Sequence, residues 1–443
     1  MQKRENFGSR LGVIMAMAGS AIGLGNIWRF PYLVGQNGGA AFVLVYIAAC
    51  ALLAMPIFMA EAVIGRRSGS NTFGAMQKLA PGTRWKWLGL VTVCTPVLLL
   101  SYYSVVGGWS VDYFAKACAV RFSGDTSGIF GSFISSTWEP VVTHTVFMAL
   151  TAGIILMGVT KGIEKFTKIT MPMLFLLIVV IVIYGLTLPG AWKGVEYMVK
   201  PDFSKINAQV AATAMGQAFF SLSLGVGTIL TYASYMRKEE NIVYSGNCTA
   251  LFDLLFALLA GFAVMPAVFA AGIQPEEGAG LVFDTLPYVF SRMGWAGTVV
   301  SVLFFFSILI AALTSSISLL EVGVAYLVEE KGWSRRRSTL VLALGTWALG
   351  VLCSLSFGPM SGVKILGLGL FDFLDKFCSN WLMPFGGFLF TLFAGWKMSK
   401  ADVRDELTCS GKCNRRLFPL LYFLMRYLAP VGIAVIFLTN LFL

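Results

Sequence analysis

The sequence is poor in charged residues and in histidine. Asp, Glu, Lys and Arg make up 12% of its 443 residues, and His144 is the only histidine, whereas soluble domains carry about 25% charged residues. This composition excludes a soluble globular domain. A zinc- or histidine-based hydrolase is disfavoured, because such an enzyme needs a nucleophile with a base or a cluster of metal ligands.

The eight cysteines do not form a metal-binding pattern. Cys409 and Cys413 lie four residues apart in a basic loop, but no further Cys or His is near them in the sequence to complete a zinc site. Most of the others fall in apolar runs, where burial is their expected role. These are Cys50, Cys94, Cys248, Cys353 and Cys378.

Long apolar runs dominate the chain. Hydrophobic residues make up 57% of it and the mean hydropathy is +0.78. Runs such as 42–60 and 173–188 are long enough to cross about 30 Å of hydrocarbon, and no cleavable signal peptide is visible at the N-terminus. We predict an all-α polytopic membrane protein with eleven spans, at residues 10–35, 40–65, 87–115, 142–159, 166–188, 208–236, 243–272, 295–328, 338–357, 363–396 and 417–441.

The net charge of +11 follows the predicted loops and does not indicate nucleic-acid binding. Alternate loops hold 23 of the 33 Lys and Arg residues. The positive-inside rule makes that side cytoplasmic. With eleven spans, the N-terminus is expected inside and the C-terminus outside, in the plasma membrane, which is the inner membrane of a bacterium. The basic segments are 1–10, 66–86, 161–168, 237–238, 331–337 and 397–416.

Two predicted spans are interrupted by small and polar residues. The first contains "AGSAIGLGNIWRFP" (18–31) and the sixth contains "SLSLGVG" (221–227). An isolated Gly or Ser can reflect close helix packing. A cluster of them at mid-membrane instead predicts a broken helix, whose free N–H and C=O groups must face protein, a cavity or a ligand.

Broken helices at matching places in two halves indicate a transporter with an inverted repeat. We predict a single transporter domain over 1–443, with halves at about 10–188 and 208–396 and an extra helix at about 417–441. Freed carbonyls bind small cations and helix N-termini bind carboxylates, so a zwitterionic ligand such as an amino acid fits this arrangement.

Further polar residues lie in otherwise apolar spans. Thr314 and Ser315 in "AALTSSISLLE" offer hydroxyl oxygens, although such groups often bond to their own helix. Buried acids are functional candidates, and each could instead be the structural partner of a basic group. They are Glu61, Asp253, Glu321, Asp372 and Asp375.

Three segments resemble the neurotransmitter:sodium symporter family, in its bacterial amino-acid transporter branch. "GSRLGVIMAMAGSAIGLGNIWRFPYLVGQNGGAAFVLVY" is similar to the first two helices, "GQAFFSLSLGVGTILTYASYMRKEENIVYSG" to the sixth and its following loop, and "ALTSSIS" to the eighth. The resemblance implies sodium-coupled import of an amino acid by alternating access. It also implies two sodium sites, the first at Ala21, Asn26, Ser221 and Asp253, and the second at Gly19, Ile22, Ala311, Thr314 and Ser315.

The resemblance also implies a substrate pocket. The carboxylate would meet Leu24, Gly25 and Tyr103, and the ammonium would meet Ala21, Phe220, Ser221 and Ser223. The side chain would contact Leu99, Tyr103, Phe220, Val226, Ser315 and Leu319. This lining is apolar and offers no second acid, which argues against basic amino acids and monoamines. The modest size of Val226 favours bulky hydrophobic or aromatic L-amino acids.

Two further expectations concern the chloride requirement and the residue pairs that would close the two sides of the transporter. In the chloride-dependent pattern of the family that this chain resembles, an uncharged Asn lies near a bound chloride, and this sequence has Asp253 instead. We therefore expect no chloride requirement. The resemblance also implies that Arg29 with Asp375 would close the outer side and Arg4 with Glu329 the inner side. A channel or a substrate sensor with the same fold would also use broken helices, and flux measurements distinguish these alternatives. The sequence does not indicate the oligomeric state.

Overall fold

The computed structural model describes residues 5–120, 122, 126, 128–272 and 282–442. Within these residues the regular structure is helical, apart from an isolated bridge between Ile365 and Leu368. Nine helices in this part of the chain are long and apolar enough to cross a membrane. A tenth span results if Arg10–Ala21 and Gly25–Gln36, which meet at an angle of 48°, are counted together. The all-α membrane fold is confirmed, and the count of eleven stays a prediction.

The spans are numbered here in chain order as the eleven predicted ones. Spans 1 and 6 each consist of two helices separated by a break. Shorter helices at Thr72–Leu79, Ile129–Ser135, Ala191–Val199, Thr285–Ser291 and Lys400–Leu407 connect the spans. The segments numbered in this way are Arg10–Ala21 with Gly25–Gln36, Ala40–Ser68, Lys86–Cys118, Glu139–Leu156, Val159–Leu186, Ala208–Ser221 with Thr228–Ala233, Ile242–Ala270, Gly294–Lys331, Arg335–Leu355, Leu370–Lys397 and Phe418–Thr439, of which the sixth is not among the helices counted above.

Span 10 begins later than predicted. The sequence placed its start at residue 363, but the helix begins at Leu370 and residues 358–369 form turns. Gly358, Pro359 and Gly362 interrupt this stretch, and Gly367 has a φ of +81° that a helix does not permit. Hydropathy alone extended the span, because residues 363–370 are mostly apolar.

The spans divide into central and peripheral ones. The most apolar window of span 3 is 72% buried inside the protein, whereas that of span 5 is 33% buried. Span 3 packs along span 8, and the first half of span 1 packs against spans 7 and 8. Residues 18–25 are buried, and so are residues 221–227 apart from the half-buried Ser223, so the breaks in spans 1 and 6 lie inside the protein.

An ion-pair network joins the short helix Lys400–Leu407 to the end of span 2. The Arg66 Nε donates to Glu406 Oε2 at 2.6 Å, and these two side chains are only 2% and 5% exposed. The same guanidinium also donates to the backbone carbonyl of Glu240, in the loop after span 6. Arg67 bonds to Asp402 and Asp405 beside it. The end of span 2 is thus bonded both to the helix Lys400–Leu407 and to the loop after span 6.

Candidate functional site

The first break turns backbone carbonyls toward spans 6 and 8. The first helix ends at Ala21, and Ile22 is extended, with ψ of +106°. The Ser20 carbonyl accepts hydrogen bonds from the hydroxyls of Ser223 at 2.8 Å and Ser315 at 3.2 Å. These carbonyls lack the partners that a continuous helix would supply, so side chains from other spans approach them.

The second break occupies residues 222–227 and requires left-handed backbone. Gly225 has a φ of +80° and Gly227 of +74°. Ser223 adopts a φ of +51°, which costs a non-glycine residue about 1–2 kcal/mol. The N–H of Gly225 donates to Glu61 Oε1 at 2.7 Å. The carboxylate of Glu61 therefore binds the unwound backbone, and no ion pair to it occurs among the described residues.

A cluster of polar side chains lies where the two breaks meet span 7. The Asn26 Nδ2 donates to Asp253 Oδ1 at 2.8 Å and to Ser221 Oγ at 3.0 Å. The Ser221 hydroxyl lies 2.9 Å from both carboxylate oxygens of Asp253, and the Tyr46 hydroxyl donates to it at 3.2 Å. All four side chains are buried. Ala21, the fourth residue expected at sodium site one, lies at the adjacent helix end.

The residues expected at sodium site two also lie together. The Thr314 hydroxyl donates to the carbonyls of Ala311 at 2.9 Å and Ile22 at 3.3 Å. The Ser315 hydroxyl lies 3.4 Å from the same Ile22 carbonyl. A methyl group at Gly19 would stand 3.4 Å from the Thr314 Cβ, so this glycine lies beside the other residues of the expected site. Carbonyl and hydroxyl oxygens suit a hard cation.

A small cavity lies between the two breaks. About 20 Å³ of it is open to a water-sized molecule, room for one or two waters. A larger ligand needs its walls to move apart. None of the residues that line it carries a charge; they are Ala21, Gly23, Gly25, Leu99, Tyr103, Phe220, Ser223, Val226, Ser315, Leu319 and Met383.

Most expected substrate residues line this cavity, and two do not. Ser221 faces Asp253 instead, and Leu24 lines the neighbouring cavity, with its N–H donating to the Tyr103 hydroxyl at 3.3 Å. Sequence reasoning missed Gly23 and Met383. The signal for Gly23 was its place inside the first glycine cluster. Met383 follows an irregular turn in span 10, and no local pattern marks it as facing the breaks.

Arg29 and Asp375 line a second cavity, which Phe220 and Tyr103 separate from the first. The Arg29 guanidinium lies over the Phe220 ring, 4.6 Å from its centroid. Asp375 Oδ1 accepts a hydrogen bond from Ser379 at 3.2 Å. Among the ion pairs within the described ranges, none joins Arg29 to Asp375, so the expected outer salt bridge is not formed in this conformation.

The expected inner pair can be followed only at Glu329, because Arg4 lies outside the described residues. Glu329 Oε2 accepts from the backbone N–H of Asn71 at 2.8 Å and from its side-chain amide at 3.0 Å. Nearby, the Phe7 ring packs edge-on against Tyr232 and Tyr235, 5.8 and 6.0 Å away. The N-terminal segment is thus packed against the second half of span 6.

Glu321 has a structural partner. Its carboxylate accepts from the Arg335 guanidinium at 2.6 and 3.1 Å and from the Tyr235 hydroxyl at 2.8 Å. This bidentate pair satisfies the buried acid without a ligand. Of the two interpretations that the sequence left open for Glu321, the structure supports the structural one.

Two buried helix breaks, an uncharged cavity between them and oxygen-lined sites beside them, in a chain with long apolar helices, are typical of a membrane transporter with discontinuous helices. The chain belongs to the sodium:neurotransmitter symporter family, whose model matches residues 4–128 and 131–442. It is a sodium-dependent transporter and not an enzyme.

Two sodium-dependent transporters and one solved structure are similar to this chain over nearly its full length. The chain is 38% identical over 441 residues to the uncharacterized sodium-dependent transporter YhdH of Bacillus subtilis, covering 99% of this chain and 98% of that one. An uncharacterized sodium-dependent transporter of Haemophilus influenzae is 35% identical over 100% and 99%. The crystal structure of MhsT in complex with L-phenylalanine superposes with a TM-score of 0.92 at 41% identity, over 99% and 100% of the two chains.

Proposed function

We propose that this transporter imports a neutral hydrophobic or aromatic L-amino acid together with sodium by alternating access. The observation that carries the proposal is the uncharged cavity between the two breaks. A second charge on the substrate would be buried there without a partner, which is costly. The similarity to MhsT, solved with L-phenylalanine, supports a substrate of this class.

The polar ends of an amino acid match the two breaks. Its carboxylate would meet the N–H groups of Leu24 and Gly25 and the Tyr103 hydroxyl, where the second helix of span 1 begins with its positive dipole end. Its ammonium would meet carbonyls of Ala21, Phe220 and Ser221 and the side chain of Ser223. The apolar side chain would extend toward Leu99, Val226, Ser315 and Leu319, which line the cavity or its rim.

Sodium would bind at two places. The first would use Ala21, Asn26, Ser221 and Asp253, with the substrate carboxylate as a further ligand, and the second Gly19, Ile22, Ala311, Thr314 and Ser315. A shared ligand makes substrate and sodium strengthen each other's binding by the same factor. The hydrogen bonds from Asn26 and Ser221 to Asp253 would have to rearrange for the first ion to enter.

Chloride independence follows from the charge of Asp253. A carboxylate beside site one supplies the negative charge that an external chloride would otherwise bring. Arg29 with Asp375 would close the outer side once the substrate is bound, and Arg4 with Glu329 the inner side. The halves at about 10–188 and 208–396 would rock against each other, with the N-terminus cytoplasmic and the C-terminus outside the plasma (bacterial inner) membrane.

A substrate screen in proteoliposomes tests the proposal. Uptake of each of the twenty amino acids is measured with and without an inward sodium gradient, and again with gluconate in place of chloride. We expect saturable, sodium-dependent uptake of Phe, Trp, Leu or similar substrates, equal in both anions. Uptake of Lys, Asp or a monoamine alone would overturn the substrate class. Binding without uptake would favour a sensor, and non-saturable sodium flux a channel.

A further inference from the structure

A wide, open cavity lies outside the proposed transport pathway. It is an open groove of about 1070 Å³ between the helix Lys400–Leu407 and the beginning of span 11, Phe418–Thr439. The loop that forms one wall, residues 397–416, is among the Lys- and Arg-rich loops that the positive-inside rule assigns to the cytoplasm. The groove would therefore lie at the cytoplasmic surface of the membrane, where span 11 begins.

The groove carries an excess of positive charge. Lys400, Arg404, Arg415 and Arg426 line it, and within the described part of the chain none of them forms an ion pair. Asp405 is the one acid in the lining, and its carboxylate already accepts from Arg67 at 2.9 Å. The Nε of Arg426 is buried without a hydrogen-bond partner among the described residues. Within the described residues, four cations thus face one space whose single acid, Asp405, is paired with Arg67.

Two of the cations lie opposite two aromatic rings on the facing helix. Lys400 and Arg404 are four residues apart on one helix, and Phe418 and Tyr422 are four apart on the other, so each pair shares a face. The Lys400 Nζ lies 5.5 Å from the Tyr422 ring centroid, and the Arg404 guanidinium 6.0 Å from that of Phe418. Aromatic rings beneath the cations hold them at the groove without neutralising them.

The side of the groove formed by span 11 carries exposed apolar side chains. Leu420 is 55% exposed, Phe423 54% and Tyr427 45%. Trp396 is also exposed, and the Arg426 guanidinium stacks 4.3 Å from its ring centroid. Trp and Tyr at this level are typical of the interface between headgroups and acyl chains. A ligand that fits has an anionic end and an apolar end side by side.

We propose that this groove binds an acidic phospholipid, with its phosphodiester among Lys400, Arg404, Arg415 and Arg426 and its acyl chains along Leu420, Phe423 and Tyr427. Arginines bind phosphate oxygens through two donors at once. Basic pockets between spans on the cytoplasmic side are suited to anionic headgroups. A soluble anion would use the cations but leave the adjoining apolar face unused. The proposal does not depend on the identity of the transported substrate.

Lipid titration of the purified full-length protein tests this inference. Retained lipid is counted by native mass spectrometry after addition of phosphatidylglycerol or of phosphatidylcholine with the same acyl chains. The test variant is Lys400→Gln with Arg404→Gln, two exposed side chains in the groove. The matched control is Lys331→Gln with Arg336→Gln, which removes the same two charges from exposed positions of another basic loop. A third variant, Arg426→Gln, tests the partly buried cation.

We expect the unmodified protein to retain phosphatidylglycerol in preference to phosphatidylcholine. Each groove cation removed should weaken phosphatidylglycerol binding about fivefold, so the test pair should weaken it about 25-fold. The control pair should change it less than about twofold. Because Lys400 and Arg404 are exposed and unpaired, this pair decides the outcome even if Arg426→Gln lowers expression.

Three results would overturn the inference. They are equal retention of the two lipids, equal loss in the test and control pairs, and full displacement of phosphatidylglycerol by millimolar inorganic phosphate or glycerol phosphate. The last would identify a site for a soluble anion. The readout is bound lipid, so failure of the proposed transport activity would not affect it.

Discussion

The side-chain amide of Asn26 donates hydrogen bonds to both the carboxylate of Asp253, at 2.8 Å, and its backbone carbonyl, at 3.1 Å. One residue follows the break in span 1 and the other lies in the middle of span 7. The carboxylate thus binds side chains beside both breaks, Asn26 after the first and Ser221 before the second, at the place where we propose that sodium binds.

If Asp253 makes transport independent of chloride, as proposed, Asp253→Asn should make uptake respond to chloride. Without the fixed charge, the proposed sodium site one would lose its charged ligand, and the sodium concentration for half-maximal uptake should rise at least about tenfold in gluconate. Chloride should restore part of the loss. Uptake at graded sodium in the two anions measures this, with the exposed Glu196→Gln as control. Unchanged sodium dependence in gluconate would contradict the role of Asp253.

Ser315→Ala should weaken sodium binding at site two. The change removes a hydroxyl that lies against the carbonyls of Ser20 and Ile22, and loss of one such oxygen should cost about tenfold in sodium affinity. Ser316→Ala on the same helix is the matched control, because its hydroxyl faces Thr151 at 2.8 Å instead. Equal effects of the two substitutions on sodium-dependent binding would show that only helix packing was disturbed.

Gly225→Ala should destabilise the protein and abolish uptake. The residue has a φ of +80°, and an added Cβ would collide with the carbonyl of Met383; the backbone conformation alone costs at least about 1–2 kcal/mol. Gly216→Ala lies earlier in the same span, with nothing within 4 Å of the added Cβ, and should be neutral or stabilising. Thermal unfolding in detergent compares them. Wild-type stability of Gly225→Ala would contradict the account of this break.

Arg66→Gln should be far more damaging than Arg67→Gln. Loss of the Arg66 guanidinium leaves the buried Glu406 with only the longer contact to Arg67 Nη1, at 3.5 Å, and breaking a buried pair costs about 3–5 kcal/mol. Arg67 is 31% exposed, and its shorter pairs are with Asp402 and Asp405, which are 39% and 42% exposed; such pairs are worth less than about 1 kcal/mol each. The double variant Arg66→Met with Glu406→Leu should recover most of the stability. Melting temperatures check this order, and a double variant no better than Arg66→Gln would refute it.

Glu240→Gln should stabilise the protein more at alkaline than at acidic pH. Burial in the loop after span 6 raises the pKa of Glu240, although Arg237, Arg10 and Arg66 partly oppose the shift. Because the folded-state pKa lies above the unfolded one, stability is lost as pH rises through it. The melting-temperature advantage of the variant should therefore grow from pH 5 to pH 8. An advantage that shrinks over this interval would contradict the burial argument.

Much of the fold could be predicted from local sequence, because apolar length and helix breaking depend on neighbouring residues. Apolar length predicted the membrane helices, and the glycines around Gly23 and Gly225 predicted where two of them break. The same local logic misplaced the start of span 10, because residues 363–369 are apolar but contain turns. The residues of both sodium sites came from the resemblance to the family, and their roles stay predictions.

The sequence by itself determined that this chain is a helical membrane protein and where two of its helices break, since hydropathy and helix breaking act over a few neighbours. Only the tertiary structure decided that Glu61 binds the broken backbone, that Glu321 pairs with Arg335, that Met383 lines the cavity, and that Arg29 stands apart from Asp375. These relationships join residues far apart in the chain, and they depend on how the packed helices rotate and tilt against each other.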